Sequence, residues 1–449
     1  MPPKHLARRV QQVVERLELT EVEASYSALG QKAFAPRQLL ALWIYASLIG
    51  LHQGTRLAHA LQTDAALRLL SGGHLVSHSV LNRFRSQKAV LFLAALEETV
   101  RWARQQGLLE AQALAVDSVR LHAHAGAHQV RVHKHSAQRL EQLCQVDVSA
   151  LSAPERERHQ QKLDKHQQAV RLCQERGAAS VVLSNPSAGL MQFPGNGVHP
   201  GHRVTVVASG VQQRLVLGVL LTASGNDKGL LQGAMLEARR VLHAAGVPLP
   251  VRLQVAGDSG YWSEEDLRFA ALNASWVDVL LKPGPLSGPQ ANKPGLLKRE
   301  GFQLLPSERA VVCPAGRRMR GPVYDSVNQC DSYYGVDCAS CPLRPRCTRG
   351  SRRAFSVRWH YEEFRQSMLL RLGQEGAQAR YRQRMATVEP VFSSLQQDMH
   401  FRRLSSRHPR TIDAEILLKL LAHNVSRLLT RSRLFCVFFL LSAPASSHA

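Results

Sequence analysis

Residues 113–123, ALAVDSVRLHA, and residues 251–262, VRLQVAGDSGYW, decide how this chain is read. Each is a strand-length run of apolar, β-branched residues. The first holds Asp117 in its middle. A carboxylate buried there is costly unless it is paired or bound to a metal. The second ends in Asp258 and runs into a turn bracketed by glycines. The carboxyl end of a strand is where open α/β sheets place ligands.

Two more strands lie between these landmarks, HRVTVVAS (202–209) and QRLVLGVLLTAS (213–224), joined across Gly210. The helix of residues 230–246 follows, with Gly246 as its stop. After Asp258 come a helix capped by Ser263 and a strand, WVDVLLKP (276–283). The order is strand, insert, strand, strand, helix, strand, helix, strand. It predicts an α/β ribonuclease H-like core over 111–283. The insert, 128–178, reads as a solvated helical hairpin. Its second helix starts at a capping box of Ser152 and Glu155, with Pro154 in the first turn. His122, His124, His128, His133 and His135 around it read as surface polarity rather than metal ligands.

Residues 1–110 carry apolar residues at helical spacing and predict an all-helical amino-terminal domain for DNA binding or dimerisation. Within it SGGHLVSHSVLNRFRSQ (71–87) makes a helix-turn-helix candidate. Gly72 and Gly73 break the chain, and Ser77 caps a helix that presents Ser79, Asn82, Arg83 and Arg85 to DNA. Beyond Pro283, residues 284–355 form a basic, cysteine-rich insert. Residues 356–433 read as helices, and 434–449 as a tail. Glu389 lies in TVEPVF; because Pro390 suits a first helical turn, Glu389 is expected at a helix start.

The chain of 449 residues has 57 Lys and Arg against 34 Asp and Glu, a formal charge of +23. Such a field favours a polyanionic partner, nucleic acid first and a ribosome or membrane surface after it. Arg402, Arg403, Arg407 and Arg410 form a dense patch after Glu389, suited to phosphate contacts. No apolar run approaches the ~18–20 residues that span a bilayer. The amino terminus lacks the apolar core of a secretory signal. A cytoplasmic, reducing location is therefore expected. Five of the eight cysteines fall between Cys313 and Cys347. In that compartment Cys338-x2-Cys341 and Cys347, with Cys330 or Cys313, are candidate Zn²⁺ ligands.

Taken together, the motifs resemble those of bacterial insertion-sequence transposases of the DDE class, over nearly the whole chain. FAPRQLLALWIYASLIGLHQGTRLAHAL (34–61) with LVSHSVLNRFR (75–85) resembles their amino-terminal helical module. LAVDSVRLHAHAG (114–126) resembles their first-Asp motif. PGHRVTVVAS (200–209) with ASGNDKGLL (223–231) resembles the strand pair and Asn-Asp loop that follow, and AGDSGYWSEEDL (256–267) the second-Asp motif. RMATVEPVFSSLQ (384–396), FRRLSSR (401–407) and LAHNVSRLL (421–429) resemble the Glu region. The resemblance implies that Asp117, Asp258 and Glu389 form a triad holding two Mg²⁺ (or Mn²⁺) ions. It also implies binding to terminal inverted repeats, cleavage and strand transfer without a covalent enzyme–DNA link, and a homodimer. Tyr381 and Arg384 loosely match the aromatic-basic pair before the Glu. Gln396 stands where many relatives carry a DNA-contacting Lys, with Arg402 or Arg403 as substitutes. Two other readings fit the same features: a catalytically inactive, transposase-derived DNA-binding protein, and a ribonuclease H-like nuclease that does not transpose.

Overall fold

The computed structural model describes residues 1–24, 34–110, 113–195, 197–248, 252–284 and 296–431. The tail expected at 434–449 lies outside them. The described residues are mixed α/β and form two compact units. One comprises Met1–Ala256 with Arg382–Ala449, the other Gly257–Tyr381.

Among the described residues the first unit opens with seven helices: α1 (Leu6–Arg16), α2 (Thr20–Ala24), α3 (Pro36–Leu48), α4 (Gly54–Ala60), α5 (Ala65–Leu70), α6 (His78–Gln87) and α7 (Ala89–Gln105). Strand β1 (Leu114–His122) follows. A narrow ribbon, β2 (Val130–Val132) paired with β3 (Ser180–Val182), roots the helical hairpin α8 (His133–Cys144) and α9 (Ala153–Arg176). The capping box starts α9 as the sequence predicts, with the Ser152 amide donating to Glu155. Then come β4 (Gly189–Phe193), β5 (Gly197–Ser209), β6 (Leu215–Thr222), α10 (Leu231–Ala244) and β7 (Leu253–Gly257).

β5 is the hub of the sheet. It pairs antiparallel with β1 along one side, and with β4 and then β6 along the other. β1 lies between β5 and β7. This central position explains the unbroken burial of Leu114, Ala115 and Val116. At Gly218 a Cβ would come within 2.7 Å of the α10 backbone, so glycine there lets α10 lie flat on β6.

The second unit holds α11 (Glu264–Leu272), β8 (Val277–Leu281), the hairpin β9 (Gln303–Leu305) and β10 (Ala310–Val312), and a three-stranded sheet. That sheet is β11 (Arg320–Asp325), β12 (Cys330–Tyr334) and β13 (Ala354–Val357), with α12 (Arg344–Cys347) before β13. α13 (Trp359–Leu372) packs on α11 and β8. Two further helices follow among the described residues, α14 (Ala377–Ser393) and α15 (Pro409–Arg431).

α15 packs against α3, α6, α7 and β6. The amino-terminal helices and α15 thus share one core. Asn424 fixes the contact: its side-chain amide bonds both the N–H and the C=O of Val216, as a neighbouring strand would, and also reaches Thr99. His423 donates from Nε2 to the Arg214 carbonyl, and burial lowers its pKa to about 4. The LAHNVSRLL segment therefore holds helix to sheet. Among the described residues no helix is long and apolar enough to cross a membrane.

Candidate functional site

Side chains alternate faces along a strand, so Asp117 and Ser118 of β1 point to opposite sides of the sheet. Asp117 is half-buried. One carboxylate oxygen accepts the Ser118 amide at 2.8 Å, and the other accepts Nη1 of Arg384 at 2.9 Å. The side chains are 20% and 11% exposed, so this pair is only partly open to water. Arg384 reaches it from α14. It shares a face of that helix with Thr387, Val388 and Val391 at spacings of three, four and seven, all buried.

On the other face, Arg203 of β5 organises a network that sequence reading missed. Its side chain is 2% exposed and forms an ion pair with Asp227. It donates to the Ser118 hydroxyl at 2.8 Å, to the Ser224 carbonyl at 3.0 Å and to the Gly225 carbonyl at 2.6 Å. Ser118 in turn donates to Asp227. The Asn226-Asp227 loop is thereby tied to the residue after Asp117. An arginine inside the apolar run HRVTVVAS was the available signal, since a buried guanidinium needs an acid and several acceptors.

Glu389 is not at a helix start. It lies well inside α14, whose seventeen residues include Pro390, and its side chain is exposed. A proline there cannot donate to the Ala386 carbonyl four residues earlier. Nε of Arg214 supplies the missing donor at 3.0 Å, which lets the helix continue through the proline. Past it, the chain loosens into a π-helical turn, Ser394–Asp398. Asp258 belongs to the second unit, where its carboxylate accepts the Gly260 amide and caps a short turn, Ser259–Tyr261. Among the described residues no three His, Cys, Asp or Glu side chains are drawn together as a metal ligand set.

The candidate DNA-contacting residues divide. Ser79 and Arg83 on α6 are exposed and Asn82 is half-buried, but Arg85 is turned inward. Arg85 donates to the His52 carbonyl at 2.7 Å and to the Ser405 hydroxyl at 2.9 Å, and lies 3.8 Å from buried Glu415. Its guanidinium is committed to contacts within the fold and is not presented at the surface, where the sequence reading placed it. The signal was its position on the face of Leu81 and Phe84, four and one residues before it, both buried. Beside it, Lys419 donates to the Ser47 hydroxyl and meets Nδ1 of His52 at 2.7 Å. Burial lowers the Lys419 pKa to about 7; burial, aided by Lys419, lowers that of His52 to about 3.

Arg402, Arg403, Arg407 and Arg410 are all exposed. Their segment is anchored at the end of β1: the His122 amide donates to the Arg402 carbonyl, and the Leu404 amide donates to the His122 carbonyl. Phe401 and Leu404 are buried beneath. Nε of Arg402 reaches the Gln396 carbonyl at 3.3 Å, so a guanidinium stands beside Gln396.

Two family models match this sequence. A transposase DDE domain model covers residues 312–429, and a transposase domain model covers residues 1–87. The first match includes Arg384, Glu389 and the basic segment but does not extend to Asp117 and Asp258. No match was found among curated proteins.

Proposed function

We propose, for a chain whose two matched stretches are those of an insertion-sequence DDE transposase, that it binds the terminal inverted repeats of its element. It then cuts and joins DNA there, with Asp117, Asp258 and Glu389 as the metal-binding carboxylates of a ribonuclease H-like core. The observation that carries the reading is Asp117: a half-buried carboxylate in the middle of a central strand, already met by a cation, Arg384. Hard divalent cations take oxygen donors, and three carboxylates are a fitting donor set. Asp117 would hold such an ion from a rigid strand, Asp258 from a capped turn and Glu389 from an exposed helical position. Mg²⁺ or Mn²⁺ bound there would make a water or 3′-hydroxyl nucleophilic and stabilise the leaving oxygen.

The chain's own residues do the remainder. Arg384 offsets the Asp117 charge and sets its orientation. Arg203 and Asp227 hold Ser118, and so the strand, in register. Arg402 and Arg403 present two cations beside the strand that carries Asp117, where a DNA backbone would be held. A homodimer acting on paired ends belongs to the same proposal. A catalytically inactive DNA-binding relative is the competing reading.

One assay separates the two. Purified protein is given Mg²⁺ and a DNA fragment carrying the element's ends. Nicking at the ends that is lost in Asp117→Ala, Asp258→Ala and Glu389→Ala, with binding retained, supports the enzyme. Binding without nicking in either Mg²⁺ or Mn²⁺ supports the inactive relative. Cutting indifferent to the end sequence points to a simple nuclease.

A further inference from the structure

The second unit contains a feature that DNA chemistry does not use. Three separate segments bring four cysteines to the wall of one small cavity: Cys313 after β10, Cys338 and Cys341 in the turn after β12, and Cys347 at the end of α12. The fifth cysteine of the cluster, Cys330, is on β12 and does not line the cavity. Two of these segments are tight turns. The Gly316 amide donates to the Cys313 carbonyl, and the Cys341 amide donates to the Cys338 carbonyl. The second turn carries two sulfurs on one short loop.

The cavity wall includes arginines, among them Arg317 and Arg353, and no acidic side chain. A wall of that composition suits a negatively charged occupant such as a cluster of thiolates. The surrounding module also has little else to hold it. Its core is Phe302, Val311, Met319, Tyr333, Phe355 and Val357, together with Cys347 itself. Modules with so small a core generally need a disulfide or a metal.

We propose that Cys313, Cys338, Cys341 and Cys347 bind one structural Zn²⁺, and that Cys330 is not a ligand. Four thiolates around Zn²⁺ form a closed tetrahedral site with no open position for catalysis. The four sulfurs do not stand as a closed ligand set among the described side chains. On the proposal, binding releases the four thiol protons and draws the sulfurs inward, so the metal contributes to folding of this module. Nothing in it depends on the DNA-cleaving triad.

The test uses the full chain, purified without chelator and desalted, with zinc counted per chain by elemental analysis. One equivalent is expected. Cobalt reconstitution should give the absorption of a tetrahedral tetrathiolate centre. Cys330→Ser should keep the metal, while Cys338→Ser with Cys341→Ser should lose it. The wild-type cobalt spectrum answers the question even if that double variant fails to fold. Zinc-free protein that takes up no cobalt would overturn the proposal, as would loss of the metal in Cys330→Ser. Asp117→Ala should hold zinc fully, so failure of the cleavage assay and failure of the zinc count remain distinct.

Discussion

Two arginine–carboxylate pairs in the first unit share one chemistry and serve different ends. Arg384 and Asp117 meet at 2.9 Å, with the acid 20% exposed. Arg85 and Glu415 lie 3.8 Å apart, with the acid 1% exposed. Glu415 also accepts the Ser405 amide and hydroxyl, so its oxygens are committed to the fold. Asp117 stays reachable from solvent, and its strand keeps it in place through the Ser118 amide. A sealed pair with many partners fixes structure. A half-open pair on a rigid strand keeps a charge ready for a ligand.

The largest expected effect is on chemistry. Asp117→Ala should lower end cleavage by about three orders of magnitude or more, on the order of 4 kcal/mol in the barrier. Thermal stability should fall, because Arg384, only 11% exposed, loses its counter-charge. A cleaving Asp117→Ala protein would erase the contrast with Glu415.

The second effect is the mirror image. Glu415→Ala leaves Arg85 buried without its acid, and breaking such a pair costs roughly 3–5 kcal/mol. Urea denaturation should record that loss. Binding to element ends, measured where the variant is still folded, should change little. A Glu415→Ala protein of normal stability would show that the 3.8 Å pair contributes nothing and that Arg85 is satisfied by the His52 carbonyl and Ser405.

How much of this contrast was legible in the sequence depends on how local its causes are. The strands carrying Asp117 and Asp258, the hairpin insert and the Ser263 cap follow from short-range pattern, and the structure has them at those positions. The inward turn of Arg85 was readable too, from its spacing to Leu81 and Phe84. The place of Glu389 was not. Pro390 signals a helix start unless something supplies its missing donor, and here Arg214, 172 residues from Ala386 in sequence, does so. The Arg203–Asp227 tie and the Asn424 clamp on Val216 are likewise long-range. A single sequence offers polar residues in apolar runs, but not their partners.

A smaller effect separates the exposed arginines from the sealed one. Arg402→Ala with Arg403→Ala should weaken binding to all DNA sequences alike. For every phosphate that these arginines neutralise, their removal should reduce the slope of log affinity against log salt by about 1. An unchanged slope in a gel-shift salt series would remove these two residues from the interface.

The smallest effect is a pH dependence seated in the sealed cluster. Lys419 is fully buried with a pKa lowered to about 7 from the usual 10.5, chiefly by desolvation, while Glu415 pulls the other way and Arg85 adds to the lowering. Its neighbour His52 stays neutral, with a pKa of about 3. Above pH 10.5 Lys419 is neutral folded or unfolded, so the fold bears no cost for its charge. Between 10.5 and 7 the unfolded chain binds a proton that the folded chain does not. The fold therefore loses stability as pH falls through this window, and the full cost is present below 7. Raising the pH from about 7 to about 9 should strengthen this part of the fold, an unusual direction for a basic residue, whose pairing normally raises its pKa. Lys419→Met should flatten the difference in urea midpoint between those two pH values, while Asp117→Ala should leave it intact. A wild-type slope that survives Lys419→Met would place the proton elsewhere and leave Glu415 with Arg85 alone as its counter-charge.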